Sequence, residues 1–93
     1  MNKNGWHCFL ELCLASKEEK DLGALFDLFL TAEERESIAT RCLLISELLA
    51  EEKPQRQISQ ELGISIAKIT RGSNELKRIS QKYKEYLRDM LVK

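Results

Sequence analysis

The fold of this chain is decided by residues 57–70, which read QISQELGISIAKIT. Ile58 and Leu62 are four positions apart, as on one face of a helix. Ser65 is a residue type that caps the start of a second helix. Gly63 lies between the two segments and tolerates the positive φ that a sharp reversal of direction needs. The stretch therefore predicts two short helices that cross at a tight turn.

The same stretch supplies what a helix-turn-helix requires. Ser59 is a small residue at the position where the two helices cross. The apolar anchors at the crossing are Ile58, Leu62, Ile64 and Ile69. The outer face of the second helix has small or polar groups at Ala67, Lys68, Thr70 and Arg71. This pattern predicts a recognition helix that enters the major groove of duplex DNA, with an ordinary helical hairpin as the alternative.

The charge distribution agrees with a polyanion partner although the formal net charge is zero. Residues 1–52 carry five Lys/Arg and eleven Asp/Glu, a balance of −6. Residues 53–93 carry ten Lys/Arg and four Asp/Glu, a balance of +6. Such asymmetry favours nucleic-acid binding by the second half, and a merely solvated helical face is the alternative.

Outside the motif, the apolar spacing and the capping residues predict an all-α chain of six helices. Capping boxes at Ser16–Glu19 and Thr31–Glu34 predict the starts of the second and third helices. Pro54 predicts a break after the third. The first predicted helix ends at about Ala15, the second begins at Ser16, and the third runs from Thr31 to about Ala50. The fourth covers 55–62, the fifth covers 66–77, and the sixth begins at Ser80. The second is too apolar for one buried stripe, so we expect a second subunit to cover it.

Several function classes are not expected. The three cysteines form no CxxC pair and are expected to be reduced, and a zinc site at His7, Cys8 and Cys13 lacks a fourth ligand. No apolar run approaches the ~20 residues that span a membrane, and Glu11 interrupts the one nearest the start, so we expect a cytoplasmic protein without metal or membrane partners. The single His has no carboxylate pair or phosphate loop to work with, so we do not expect an enzyme.

A larger set of residues specifies more than a generic DNA-binding motif. The set is Leu62-Gly63, Ile66-Ala67, Ile69-Thr70-Arg71-Gly72-Ser73-Asn74 and Leu76, with Trp6, Phe9, Leu28, Leu30-Thr31, Glu34-Arg35-Glu36 and Thr40-Arg41 upstream. In these residues the chain resembles the tryptophan repressor family over nearly its whole length. The resemblance implies an intertwined homodimer of six-helix subunits that represses transcription with L-tryptophan as corepressor.

The resemblance also implies a ligand site shared between subunits. Arg41 and Arg71 would sandwich the indole between their guanidinium planes, and Arg41 would hold the carboxylate. Gly72 would leave room for the ring. The ligand ammonium would bind residues of the other subunit, namely the backbone carbonyls of Leu28 and Leu30 together with Thr31. Without the resemblance, these residues have plainer interpretations. Arg41 would form a surface ion pair, Thr31 would cap a helix, Gly72 would allow close packing, and Arg71 would contact phosphate.

The chain departs from the family at three positions. Glu75 stands where the family usually has Ser near the ligand ammonium, so it could strengthen tryptophan binding or change which ligand fits. Ser59 replaces a Lys, and Lys68 replaces a Thr near the bases. The residues expected to contact DNA are Gln55, Arg56, Ser65, Ile66, Ala67, Lys68, Thr70, Arg71 and Asn74.

We expect a single domain over 1–93. Within it, residues 1–52 would form the dimerisation core and part of the ligand site, 55–77 the helix-turn-helix, and 80–93 a C-terminal dimerisation helix. Bound tryptophan would set the spacing of the two recognition helices on a palindromic operator, and operator DNA should in turn tighten tryptophan binding. The alternatives are the same fold responding to another ligand or to none, and a helical interaction protein without a DNA role.

Overall fold

A computed structural model describes residues 4–92, which contain six α-helices and no strand. The helices are α1 (Gly5–Ala15), α2 (Glu19–Phe29), α3 (Ala32–Ala50), α4 (Gln55–Leu62), α5 (Ile66–Leu76) and α6 (Gln81–Leu91). The predicted all-α class with six helices is confirmed. Residues 1–3 and 93, which the predicted ranges 1–52 and 80–93 include, lie outside the described residues. The chain forms two compact units, of which the first ends at Glu36 and the second begins at Ser37.

In the first unit, α1 and α2 pack through an aromatic cluster. The ring centroid of Phe9 is 5.7 Å from Trp6, 6.0 Å from Phe26 and 5.4 Å from Phe29, the last in edge-to-face geometry. These separations are in the range where aromatic pairs attract beyond simple burial of area. The cluster therefore holds the two helices as a hairpin.

The predicted capping box at Ser16 is wrong. α2 begins at Glu19, and the residue before it, Glu18, makes no side-chain cap. The Ser16 hydroxyl instead donates to the Leu12 carbonyl, 3.1 Å away, in the last turn of α1. Serine bonds to whichever unsatisfied backbone group is nearest, and here that group is a C-terminal carbonyl of the preceding helix.

The capping box at the start of α3 is confirmed. The Glu34 N–H donates to Thr31 Oγ1 at 3.1 Å, and the Thr31 N–H donates to Glu34 Oε1 at 2.8 Å. This pair satisfies two backbone donors that the helix leaves free. Arg35, in the same turn, forms a 2.6 Å ion pair with Asp27 of α2. The junction between α2 and α3 is therefore held by side chains on both helices.

The core of the second unit lies where α3, α4 and α5 meet. Leu44, Ile58 and Ile69, one from each helix, are buried together, and the two isoleucines are almost completely excluded from solvent. The partly buried residues packed against them are Leu48, Leu62 and Ile64. All four apolar anchors predicted for the helix-turn-helix are thus part of this cluster.

The turn between α4 and α5 has the predicted backbone. Gly63 adopts φ 67° and ψ 35°, and the N–H groups of Gly63 and Ile64 both donate to the Ser59 carbonyl, at 2.9 and 3.2 Å. The Ser59 hydroxyl donates back to the Ile64 carbonyl. Ser65 caps α5 by accepting from the Lys68 N–H at 3.2 Å. Ser59 therefore closes the turn by hydrogen bonding as well as allowing the helices to cross.

α6 joins this unit through the C-terminal half of α3. Ser80 caps it as predicted, accepting from the Tyr83 N–H at 3.1 Å. Arg88 Nε donates to the Leu49 carbonyl at 3.1 Å, and the Ser46 hydroxyl donates to the Leu91 carbonyl at 3.4 Å. Leu49 is in the last turn of α3, where carbonyls lack partners within the helix and carry partial negative charge. A guanidinium is well suited to that position.

Much apolar surface stays exposed. No residue of α1, α2 or α6 is fully buried, and Leu14, Leu28 and Trp6 are 85%, 79% and 67% exposed. Tyr83, Tyr86 and Met90 of α6 are also exposed. Within residues 4–92 no helix is long and apolar enough to cross a membrane.

α5 packs closely against α3 at Gly72. A Cβ at this position would lie 3.1 Å from Leu44 Cδ2 and 3.6 Å from Leu48 Cδ1. Glycine within a helix costs about 1 kcal/mol relative to alanine, so its presence requires a compensating contact. The close approach of the two helices is that contact.

Gly63→Ala is expected to lower the free energy of unfolding by about 1–2 kcal/mol, since a side chain disfavours the left-handed backbone while the space around it is open. Gly63→Asn should cost less, because asparagine tolerates this conformation better. Urea unfolding at fixed protein concentration measures both. Equal stability of wild type and Gly63→Ala would contradict the assigned turn.

Gly72→Ala is expected to lower the free energy of unfolding by about 1 kcal/mol, because crowding against Leu44 outweighs the better helix propensity of alanine. In a Leu44→Val background, which lacks the crowded Cδ2, the same change should be stabilising. Thermal unfolding without ligand compares the wild type and the three variants as a double-mutant cycle. The close contact would be disproved by Gly72→Ala stabilising both backgrounds equally.

Candidate functional site

The rotation of α5 is set by the residues that it buries. Ile69 is fully buried, and Gly72, Ser73 and Leu76 are partly buried, so these four define the inner face. Successive helix residues turn by about 100°, which places Ala67, Arg71 and Asn74 on the opposite face. All three are exposed. The buried isoleucine therefore decides which side of α5 is presented outward.

Every residue predicted to contact DNA is exposed in this unit. The exposed set is Gln55, Arg56, Ser65, Ile66, Ala67, Lys68, Thr70, Arg71 and Asn74. With Ser65 at the cap, the first N–H groups of α5 have no partner within the helix, and the helix dipole makes this end positive. A phosphate oxygen or a base acceptor is the kind of group that such an end attracts.

The described basic residues of the second half fall into two groups. Lys53, Arg78 and Arg88 are engaged with acidic side chains or a backbone carbonyl of the chain. The others make no ion pair with any residue between 4 and 92; they are Arg56, Lys68, Arg71, Lys77, Lys82 and Lys84. The first three of this second group lie on α4 and α5, so the helix-turn-helix carries three positive charges that the fold does not pair.

Part of the predicted ligand site lies in the second unit. Arg41 precedes Leu44 by three residues and Leu48 by seven, so the three share one face of α3. Gly72 contacts the same two leucines from α5, beside Arg71. Arg41 is exposed and forms no ion pair within the described part of the chain. The α5 backbone at Gly72 is therefore brought to the α3 face that carries Arg41.

The other part lies in the first unit, where α2 ends and α3 begins. The Leu28 side chain is exposed, and its carbonyl is among the last four of α2, which lack partners within the helix. Leu30 donates its N–H to the Phe26 carbonyl at 2.8 Å and ends the helix. The Thr31 oxygen accepts the Glu34 N–H, so its role as a helix cap is confirmed. The negative end of α2 is chemically suited to an ammonium group.

Glu75 lies one turn beyond Gly72 on α5. Its carboxylate is 3.2 Å from the guanidinium of Arg78, three residues later, and both side chains are well exposed. Exposed pairs of this kind contribute little to stability and rearrange easily. The Glu75 carboxylate therefore remains accessible to a cationic group approaching this part of α5.

A metal centre has no counterpart in the described chain. Residues 4–92 contain no group of three or more His, Cys, Asp or Glu side chains arranged to hold an ion. Cys8, Cys13 and Cys42 are free thiols.

Two side-chain contacts around the helix-turn-helix were not predicted from the sequence. One is the hydrogen bond of Ser59 to Ile64, which a small-residue requirement alone does not indicate. The other is a cluster in which Lys53 joins Glu47 to Glu61. The sequence contains the charges of this cluster, but only the fold brings residues from two helices and their connection together.

Comparison with known proteins agrees with this geometry. The family model described as Trp repressor protein matches residues 4–91. A Trp operon repressor homolog of Chlamydia caviae is 53% identical over 89 residues, covering 96% of this chain and 88% of that protein. Homologs with the same description from Chlamydia trachomatis serovar D and Vibrio campbellii are 47% and 44% identical, covering 91% and 92% of this chain and 90% and 86% of their own lengths.

The match spans α1 to α6, including the helix-turn-helix, the Gly72 contact and the junction of α2 and α3. Nothing in the family or in the described residues points to catalysis. The chain belongs to the Trp repressor protein family, a family of DNA-binding transcriptional repressors.

Proposed function

We propose that this protein is an L-tryptophan-dependent repressor that binds a palindromic operator as a homodimer. The observation that carries the proposal is the double placement of α5. Its outer face carries exposed Arg71 and Asn74, and its inner face touches α3 at Gly72, beside the face that holds Arg41. A ligand bound there would act directly on the helix that contacts DNA.

The proposed ligand site uses the chemistry of each group. Arg41 and Arg71 stack on the two faces of the indole, a geometry that a planar guanidinium allows and an ammonium does not. Arg41 also binds the ligand carboxylate. The carbonyls of Leu28 and Leu30, with Thr31, receive the ammonium at the negative end of α2 in the partner subunit. Gly72 provides the close approach of backbone to ring.

The proposed homodimer is supported by the exposed apolar surface. The side chains of Leu14, Leu28 and Trp6 are more than half exposed, and a chain of 93 residues is too short to bury all of its apolar side chains by itself. Large exposed apolar surface marks an interaction site in a folded protein. In a homodimer, each copy would cover the exposed apolar side chains of the other. The two recognition helices would then lie on one side of the assembly.

Repression then follows from geometry. Two recognition helices bind successive major grooves only when they are spaced by about one turn of DNA. Tryptophan between α5 and the dimer core would hold the helices at that spacing, which lowers the ordering cost of binding DNA. The regulated genes would be those of tryptophan biosynthesis or uptake, and the protein would act in the cytoplasm.

The proposal predicts that wild-type protein selects a palindromic duplex from a random pool when L-tryptophan is present and loses at least tenfold in affinity without it, a difference of about 1.4 kcal/mol. Gel shifts at several salt concentrations complete the test. The slope of log K against log salt should be steep, at about −0.9 for each phosphate contact. No duplex binding with or without tryptophan would favour an interaction protein, and equal binding would remove tryptophan as the effector.

A second candidate is the same repressor with a different effector, and Glu75 favours it. Its carboxylate is accessible on α5, one turn beyond Gly72, and could pair with a ligand ammonium in place of Arg78. That pairing would either strengthen tryptophan binding or select a more cationic ligand.

We expect Glu75→Gln to weaken L-tryptophan binding by about threefold to tenfold, the effect of an exposed or partly buried charge pair of up to about 1.4 kcal/mol. Indolepropionate, which lacks the amino group, should bind both forms equally. Calorimetry with the two ligands measures this, and Arg78→Gln is the matched control for loss of the internal pair. Equal losses for both ligands would remove Glu75 from the ammonium site.

A further inference from the structure

The connection between α3 and α4 is short and conformationally constrained. Glu51 adopts φ 55°, a left-handed backbone that is costly for a residue with a side chain. Pro54 precedes α4 in an extended conformation. Residues that adopt such conformations persist because their surroundings hold them. The surroundings here include the charged cluster around Lys53.

Lys53 joins the two helices on either side of this connection. Its Nζ is 2.7 Å from Glu47 Oε2 in the last turn of α3 and 2.6 Å from Glu61 Oε1 in α4. Gln57 Nε2 donates to the other oxygen of Glu61 at 2.8 Å. The side chains of Lys53 and Glu47 are only 32% and 28% exposed. One ammonium therefore binds two carboxylates from different helices in a partly desolvated position.

The ionisation of this cluster is mutually supporting. Hydrogen bonds to Glu47 and then to Glu61 raise the pKa of Lys53 above its ordinary value. The hydrogen bond from Lys53, followed by that from Gln57, lowers the pKa of Glu61. Both shifts favour the charged forms of Lys53 and Glu61, which agrees with the ion pair between them.

Apolar packing alone would hold the helix-turn-helix less specifically. Burial of Ile69 sets the rotation of α5, but the attraction among Leu44, Ile58 and Ile69 has little directional preference, so it defines the angle between α4 and α3 less strictly. The Lys53 cluster forms a second attachment, at the C-terminal end of α3. The apolar cluster and the Lys53 cluster join α3 to the helix-turn-helix at two separate positions. Together they define the orientation of the helix-turn-helix more strictly than either does by itself.

We propose that Lys53 is a positioning residue for DNA binding, which sets the angle at which the helix-turn-helix leaves α3 by joining Glu47 to Glu61. The inference rests on the proposed function and adds to it a residue outside both the ligand site and the DNA-contacting set. Lys53 acts through its two partners and contacts neither DNA nor ligand.

Substitution of the two carboxylates provides the sharpest test, because an effect of net charge and an effect of positioning would change the DNA affinity in opposite directions. Removing two negative charges should strengthen DNA binding if only net charge matters. If positioning dominates, the double variant Glu47→Gln/Glu61→Gln should bind a selected duplex about fivefold to tenfold more weakly at saturating L-tryptophan, because the helices must then be ordered on binding. The matched control is Glu52→Gln/Glu85→Gln, two exposed carboxylates that form no ion pair within residues 4–92.

Variants at Lys53 separate positioning from phosphate contact. Lys53→Met should weaken DNA binding without changing the slope of log K against log salt. Lys53→Arg, which keeps the positive charge, should bind DNA as tightly as the wild type. A lysine that touches phosphate would instead lower the slope by about 0.9. A reduced slope, or carboxylate variants that bind as tightly as the control, would overturn the proposal.

The proposed function would be wrong if the wild-type protein bound no duplex. In that case a measurement without DNA still tests whether the Lys53 cluster positions α4 and α5. Amide hydrogen exchange in α4 and α5 should be at least fivefold faster in Glu47→Gln/Glu61→Gln than in the control variant, with the thermal midpoint of both reported alongside. Unchanged exchange in α4 and α5 would contradict the positioning role by itself.

Discussion

The contact between the Gly72 backbone and the Leu44 side chain is the constraint on which the rest of the second unit depends. It sets how closely α5 approaches α3, and the burial of Ile69 sets how α5 is rotated. Once distance and rotation are defined, the exposed residues of α5 can face only outward. The glycine thus has a packing reason in the chain itself, because Leu44 fills the space of its missing side chain. A role for the Gly72 backbone beside the ligand is part of the proposal.

This arrangement explains why a ligand could control DNA binding in so small a protein. The inner and outer faces of α5 are about one helix diameter apart, roughly 10 Å, so no long pathway is needed to couple them. A ligand that binds one position of α5 better than another must shift the population toward that position. The Lys53 cluster adds a constraint at the other end of the motif, where α4 leaves α3.

The sequence predicted local structure better than contacts between distant residues. Gly63, Ser65, Ser80 and the Thr31–Glu34 pair act within a few residues of chain, and each was assigned correctly because its chemistry is complete there. Ser16 failed because two helix ends compete for one hydroxyl, and the choice depends on geometry. The Gly72–Leu44 contact and the Lys53 cluster join separate helices, so residue type alone did not predict them.

In the proposed mechanism one helix, α5, contacts both the ligand and DNA. The most direct test is calorimetric measurement of L-tryptophan affinity for the free protein and for the protein saturated with its selected duplex. We expect tighter tryptophan binding in the complex, by the same factor by which tryptophan tightens DNA binding, because coupling between two binding sites is reciprocal. Equal tryptophan affinities in the two states would contradict it.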